Sequence, residues 1–192
     1  MKKTDLVKFG SAPNITPEDL DGSSYFEAAW KALWRHFDQF ETFQLNDVAT
    51  ILLLPRPWQV IYFVGVYDAQ VSNGGLDQFF FNEQAGHDET LEALREIPAE
   101  AHARVFQRGL AIQEGKNYRD RRKTAIATDD LALALQGGRE EWYERLDRHF
   151  FKLAGLDSRL NHYIKRNAAM LLPNHSFHRT RANSRAGRSL PR

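Results

Sequence analysis

Apolar residues recur with helical spacing in the segment that follows Ser24. On a wheel of roughly 100° per residue, one arc holds apolar side chains and the opposite arc holds charged ones. The apolar arc consists of Phe26, Ala29, Trp30, Leu33, Trp34, Phe37 and Phe40, and the charged arc of Glu27, Lys31, Arg35 and Asp38. Ser24 and Glu27 have the spacing of a capping box, and Thr16 with Asp19 forms a second candidate start just upstream. The pattern predicts an amphipathic helix that begins near one of these two points.

Helix-breaking residues divide the next part of the chain. A cap at residues 46–47 can start a short apolar helix that ends before Pro55. A second helix is expected over residues 58–72, where the sequence Asn73-Gly74-Gly75 would end it. The run that follows, residues 76–82, contains three consecutive phenylalanines. We expect this run to be buried.

Helical patterns continue through the rest of the predicted domain. The expected ranges are 88–97, 99–114, 120–135 with a break at Thr128, 140–154 and 157–172. In the range 140–154, the apolar face would carry Trp142, Leu146, His149, Phe150 and Leu153. Sustained alternation of apolar and polar residues, the signature of half-buried strands, is absent from the sequence. We therefore predict an all-α fold, a compact single-domain bundle of about seven to nine helices.

Charge is distributed unevenly along the chain. The 192 residues include 26 Lys and Arg against 25 Asp and Glu, which gives a formal net charge of +1. Residues 174–192 hold five arginines and no acid, so the rest of the chain has 21 bases against 25 acids and a charge of about −4. This division predicts an N-terminal extension, 1–15, a mildly acidic helical domain, 16–172, and a disordered basic C-terminal tail, 173–192.

Composition and motifs exclude several kinds of chemistry. The chain has no cysteine, which excludes disulfides, thiolate metal sites and a cysteine nucleophile. The glycine motifs of nucleotide-binding loops and serine hydrolases are absent, as are the histidine spacings of zinc proteases and di-iron bundles. We therefore expect no catalytic residue, no metal and no cofactor. Because no apolar run is long enough for an export signal or a bilayer span, we expect no membrane association and a cytoplasmic location.

Four acidic residues share one side of the helix expected at 88–97. They are Asp88, Glu89, Glu92 and Glu96, which fall within about 100° of arc. Leu91, Leu94 and Ile97 lie opposite, so the carboxylates should point to solvent. Four residues of helix rise about 6 Å, close to twice the spacing of about 3.4 Å between phosphates along one DNA strand. This acidic stripe is our candidate partner-binding surface; the alternative is an ordinary solvated face whose charge Arg95 partly offsets.

A motif rich in glycine and phenylalanine lies near the centre of the chain. It consists of Asn73, Gly74, Gly75, Gln78, Phe79, Phe80 and Asn82. With later segments such as Leu146-Asp147-Arg148-His149-Phe150-Phe151, it resembles the signature of the bacterial DNA-mimic protein family, an all-helical domain otherwise catalogued as of unknown function. The glycines would permit a tight reversal and the phenylalanines would fill the bundle centre. The amides of Gln78 and Asn82 would tie the turn to neighbouring backbone.

The resemblance implies an acidic, dimeric protein that imitates DNA phosphates and occupies the DNA-binding face of a transcription regulator or nucleoid protein. We therefore predict a non-enzymatic interaction domain with a protein partner and no specific nucleic-acid binding of its own. Two alternatives stay open. One is an antagonist or immunity-type protein that binds a partner through exposed aromatics such as Phe151. The other is an enzyme with a carboxylate pocket formed by Asp68, Asp77 and Glu83.

Overall fold

The computed structural model describes residues 12–20, 23–40, 47–115, 127 and 140–171. Within these ranges every regular element is an α-helix, which confirms the predicted all-α class. The helices in chain order are α1 (Pro17–Leu20), α2 (Tyr25–Phe37), α3 (Val48–Ile51), α4 (Arg56–Asn82), α5 (His87–Glu96), α6 (Glu100–Gln113), α7 (Glu140–Phe150), α8 (Leu156–Arg166) and α9 (Ala168–Leu171).

Some predictions concern residues outside the ranges that the structure describes. Of the helix expected at 120–135, only Ala127 is described, and it is helical. The break expected at Thr128, residues 1–11 of the expected extension and the basic tail 173–192 lie outside the described residues. At the end of the expected extension, Ile15 belongs to the buried core.

Both candidate helix starts near the N-terminus are used. At α1, Thr16 Oγ1 accepts from the Asp19 N–H at 3.3 Å while Asp19 Oδ2 accepts from the Thr16 N–H at 2.7 Å. At α2, the Ser24 and Glu27 side chains make the same reciprocal pair, at 3.2 and 2.8 Å. The short α1 is held to α2 by Arg35, whose guanidinium donates to both oxygens of Asp19. This hydrogen bonding holds the pKa of the Asp19 carboxyl well below its usual range.

The long helix α4 is the central element of the fold. It contacts α2, α5, α6, α7, α8 and α9. Tyr67 of α4 is fully buried. Its ring meets those of Phe79, Phe106 and Phe150 edge-on, at distances of 5.4, 5.4 and 5.6 Å between ring centroids. Edge-to-face contacts of this kind favour one fixed arrangement of the rings, since ring edges are positive and faces negative. The aromatic cluster therefore fixes how α6 and α7 lie against α4.

The backbone of α4 breaks at the glycine pair that the sequence marks as a break. Gly74 and Gly75 have non-helical torsions, and Gly75 has a φ of 82°, a left-handed conformation that favours glycine. The helix resumes at once, which frees the N–H of Leu76 from the usual helical pairing. That N–H donates to Asp147 Oδ1 of α7 at 2.8 Å. A side chain from a distant helix thus caps the second half of α4.

The motif residues around the break have structural roles. Phe79 and Phe80 are buried, as predicted, and Phe81 is half-buried. The Gln78 and Asn82 amides donate to the side-chain oxygen of Gln70, at 3.3 and 2.9 Å. The predicted ties of these amides to neighbouring backbone stay a prediction, and the partner that the two amides share is a side chain in the first half of α4. Gln70 thereby links the two halves of the broken helix.

The expected apolar face of the α7 region is shifted. The buried residues of α7 include Tyr143, Leu146 and Phe150, whereas His149 is exposed. The predicted face placed His149 on the apolar side, which is wrong by one position of the helical wheel. The side chain of Trp142 lies outside the described residues. The helix also ends at Phe150, four residues earlier than expected.

Within the described ranges, no helix is both long enough and apolar enough to cross a membrane.

We predict that Gly75→Ala destabilises the fold more than Gly155→Ala does. Both glycines have a positive φ, 82° and 89°. Backbone strain should therefore lower the free energy of unfolding of each variant by about 1–2 kcal/mol. A Cβ at Gly75 would lie 2.5 Å from Asp147 Oδ2, whereas one at Gly155 would meet nothing within 4 Å. In Gly75→Ala, the displacement of Asp147 should lower the free energy of unfolding by at least about 1 kcal/mol more, because it weakens a hydrogen bond to a charged group. Urea unfolding of both variants measures the difference, and equal losses would contradict the capping role of Asp147.

Candidate partner-binding surface

The orientation of the acidic stripe follows from how α5 is seated. Its buried residues are Thr90, Ala93 and Leu94, followed by Ile97 just after the helix. At the N-terminus, the Gly86 carbonyl accepts from both the N–H and the hydroxyl of Thr90, at 2.9 and 2.8 Å. The opposite side of α5 is therefore turned outward, as the sequence pattern predicts.

The four carboxylates of the stripe differ in exposure. Asp88 and Glu92 are exposed, and 66% of the Glu92 side chain is accessible to solvent. Glu89 is half-buried, and Glu96 has only 33% of its side chain accessible. The expectation that all four point freely to solvent therefore needs correction at Glu89 and Glu96.

Glu96 is occupied by contacts with two other helices. Its Oε2 accepts from Arg56 Nε of α4 at 2.9 Å, and its Oε1 accepts from the Tyr163 hydroxyl of α8 at 2.5 Å. Burial, together with this hydrogen bond, raises the pKa of the Tyr163 hydroxyl. Glu96 is therefore a connector between α4, α5 and α8.

Arg56 also alters the charge of the stripe. Its Nη2 lies 3.8 Å from Glu92 Oε2, in addition to the bond to Glu96. The offsetting charge expected from the sequence is Arg95, whereas Arg56, 40 residues from Glu96, is not predicted by the pattern around α5. No local spacing could have identified this pair, because α4 and α5 meet only in the tertiary fold. The exposed negative charge of the stripe is thus concentrated at Asp88 and Glu92, with the half-buried Glu89 beside them.

The three carboxylates of the alternative enzyme hypothesis have different surroundings. Glu83 is buried beside the apolar side chains of Val48 and Phe63, and burial raises its pKa to about 7. Asp68 is half-buried, and its pKa rises to about 6 through burial and the nearby charge of Asp157. Asp77 is also buried. Among the residues described, no three His, Asp or Glu side chains come together in a group that could hold a metal ion.

Exposed apolar side chains occur at a few places on the surface. Phe151 follows α7 directly and is 60% exposed, with its ring edge-on to Phe150 at 5.4 Å. Leu52, Leu53 and Met170 are also exposed. Phe151 is therefore where the antagonist alternative requires it, at the surface.

Comparison with known proteins gives a match at the family level. A family model described as DMP19-like protein matches residues 53–167, more than half of the chain. The matched range contains α4 to α8, and with them the glycine break, its cap Asp147 and the acidic stripe. No curated protein and no solved structure matches the chain significantly.

We predict that Glu83→Gln stabilises the protein at alkaline pH. The carboxyl has a pKa of about 7 in the folded state against an ordinary value of 4.5, so the folded state keeps a proton that the unfolded chain releases between these values. The stability that the protonated Glu83 carboxyl contributes to the wild-type protein is therefore lost as the pH rises from about 4.5 through about 7. The gain from Glu83→Gln should grow from about pH 5 to about pH 8. Urea titrations at both pH values measure it, and a gain independent of pH would refute the assignment.

We predict that Glu96→Lys lowers the free energy of unfolding by about 1–3 kcal/mol, because Tyr163 and Arg56 lose their shared acceptor. The matched control is Glu92→Lys, one turn earlier and more exposed. It should change stability by no more than about 0.5 kcal/mol. Similar losses for both variants in thermal or urea unfolding would show that Glu96 is not a connector.

Proposed function

The chain belongs to the DMP19-like protein family, and from this membership we propose that it acts as a DNA mimic. In this proposal it is a non-enzymatic protein that binds the DNA-binding face of another protein. The observation that carries the proposal is the group of carboxylates at the surface of α5, the exposed Asp88 and Glu92 with the half-buried Glu89 beside them.

The spacing of these carboxylates supports the proposal. Asp88 and Glu92 are one helical turn apart, which corresponds to a rise of about 6 Å along the axis. Two phosphates of one DNA strand are separated by about 6.8 Å along its axis when one phosphate lies between them. Glu89 adds a third negative charge beside Asp88. A helix face of this kind can meet lysines and arginines that otherwise contact consecutive phosphates.

The rigid seating of α5 also supports the proposal. The helix is held at its start by the Thr90–Gly86 bonds and at its end by the contacts of Glu96. Carboxylates on a fixed helix lose less side-chain and backbone freedom on binding than carboxylates on a loop. Glu96 thus serves the interface by placing the other three acids.

The expected partner is a basic protein surface that binds DNA, such as that of a transcription regulator or nucleoid protein. The part of the chain before the basic tail carries a formal charge of about −4, which favours approach to a positive surface. Such an interface should weaken steeply with salt, because exposed charges are screened within about 8–10 Å at physiological ionic strength. We include a homodimer in this proposal, on the strength of the same family membership, and we keep the cytoplasmic location expected from the sequence.

Exposed Phe151 supports a second candidate function. At 60% exposure, this ring could anchor an antagonist or immunity-type interaction, since aromatic anchors contribute strongly to protein interfaces. An interface centred on Phe151 should resist salt, in contrast to one centred on Asp88 and Glu92. Salt dependence therefore separates the two functions.

We predict that Asp88→Lys/Glu92→Lys abolishes partner binding without loss of the fold. The full chain is immobilised and exposed to bacterial lysate at about 50 mM and about 200 mM salt, and the retained proteins are identified by mass spectrometry. A DNA-binding protein should be retained at the lower salt concentration, be lost at the higher one and be displaced by duplex DNA. The double variant should retain none of it while its circular dichroism spectrum is unchanged.

The matched control is Glu114→Lys/Glu144→Lys, which changes net charge equally at exposed sites outside α5. It should keep most of the binding. Equal loss in both double variants would indicate a general charge effect and would refute the stripe as the interface. A retained protein that resists salt, is not displaced by DNA and is lost on Phe151→Ala would favour the antagonist function instead.

A further inference from the structure

A cleft lies between the turn at Pro98 and the face of α8. Its volume is about 460 Å³, and α8 lines it with Ser158, Arg159, His162 and Arg166. Glu96 and Pro98 lie on the opposite wall. The volume falls within the range of about 300–1,000 Å³ that is common for small-molecule sites.

The α8 wall of the cleft presents two guanidinium groups and an imidazole ring in a row. Arg159, His162 and Arg166 are three and four residues apart, so they follow one face of the helix over about 10 Å. Arg159 Nη1 donates to the Pro98 carbonyl at 2.6 Å, which holds its guanidinium across the cleft. A guanidinium has five N–H groups, so this contact leaves most of them for a ligand. The Arg166 guanidinium lies over the Tyr163 ring, 6.0 Å from its centroid.

The charge balance of the cleft is positive. Glu96 is the acidic member of its lining, but Arg56 and the Tyr163 hydroxyl already occupy its two oxygens. The lining therefore holds two guanidinium charges against one carboxylate, and that carboxylate is already paired with Arg56. The charge of Arg159 also reaches the buried His102: burial of His102 and the nearby Arg159 charge both lower the pKa of that histidine. An anion entering the cleft would meet cationic donors from α8.

We propose that this cleft binds the phosphate group of a small molecule. Forked guanidinium donors match the oxygens of a phosphate, and the Ser158 hydroxyl and the His162 ring, which also line the cleft, can add further hydrogen bonds. A water molecule takes about 30 Å³ of liquid volume, so the cleft has room for an organic group beside the phosphate. The ligand class is therefore a phosphate monoester. This site is distinct from the solvated carboxylates of α5.

The test is a titration of the full ¹⁵N-labelled chain with inorganic phosphate, at constant ionic strength maintained with chloride, followed by NMR. The amide signals of Gly155 and Ser158 should shift and saturate. Arg166→Gln should weaken the fitted affinity on the order of tenfold, because a charge-assisted hydrogen bond is lost. Arg159→Gln should weaken it similarly and serves as the second variant if Arg166→Gln does not fold. A parallel titration with glycerol 3-phosphate, and with glycerol as its uncharged control, distinguishes the ester from the free ion.

The matched control is Lys165→Gln, which removes one charge from the same helix outside the cleft, where Lys165 lies over the Tyr25 ring. It should change the affinity by less than twofold. Tighter binding of glycerol 3-phosphate than of phosphate supports a monoester ligand, whereas equal affinities would overturn the monoester assignment and indicate a site for free phosphate. Shifts that fail to saturate, or equal weakening by Arg166→Gln and Lys165→Gln, would overturn the proposal.

Discussion

The hydrogen bond from the Leu76 N–H to Asp147 is the contact on which the rest of the fold depends. A helix interrupted in the interior leaves backbone groups without their usual partners, and an unpaired buried N–H is strongly unfavourable. Asp147 supplies the missing acceptor from α7. Without that acceptor, the Leu76 N–H would lose its partner, and the placement of Phe79 and Phe80 in the aromatic cluster around Tyr67 would be less stable. One structural feature is therefore built from two segments that are far apart in sequence, Asn73-Gly74-Gly75 and Leu146-Asp147.

The end of α4 has a direct effect on the candidate interface. Because the second half of α4 ends at Asn82, the chain turns through Gly86 and starts α5 against the first half of α4. This return brings Glu96 to Arg56, at the other end of α4. Asp88, Glu89 and Glu92 are then presented on a helix whose ends are both fixed. The glycine motif thus belongs to the scaffold, and the acids on α5 belong to the surface.

Local sequence patterns were sufficient for the features that depend on neighbours in the chain. The capping box at Ser24, the break at Gly75 and the outward side of α5 were all predicted, because each follows from torsional preference or helical period. The partners Gln70, Arg56 and Tyr163 were missed, since each contact joins residues brought together by folding. The error at His149 has another cause. Tyr143 is buried in α7 and rotates the apolar face by one position, and a helical wheel built on Trp142 and Leu153 could not show this.

The residues of the acidic stripe differ in how well they should tolerate substitution, and Glu96 should tolerate it least. Its two oxygens serve two different helices, so a substitution there alters the architecture as well as the surface charge. Asp88 and Glu92 are exposed and lie on a helix whose position does not depend on them. Mutation can therefore alter the number and placement of charges at these two positions while the bundle stays the same. In evolutionary terms, descendants of this protein can acquire new binding preferences through α5 without first acquiring a new fold.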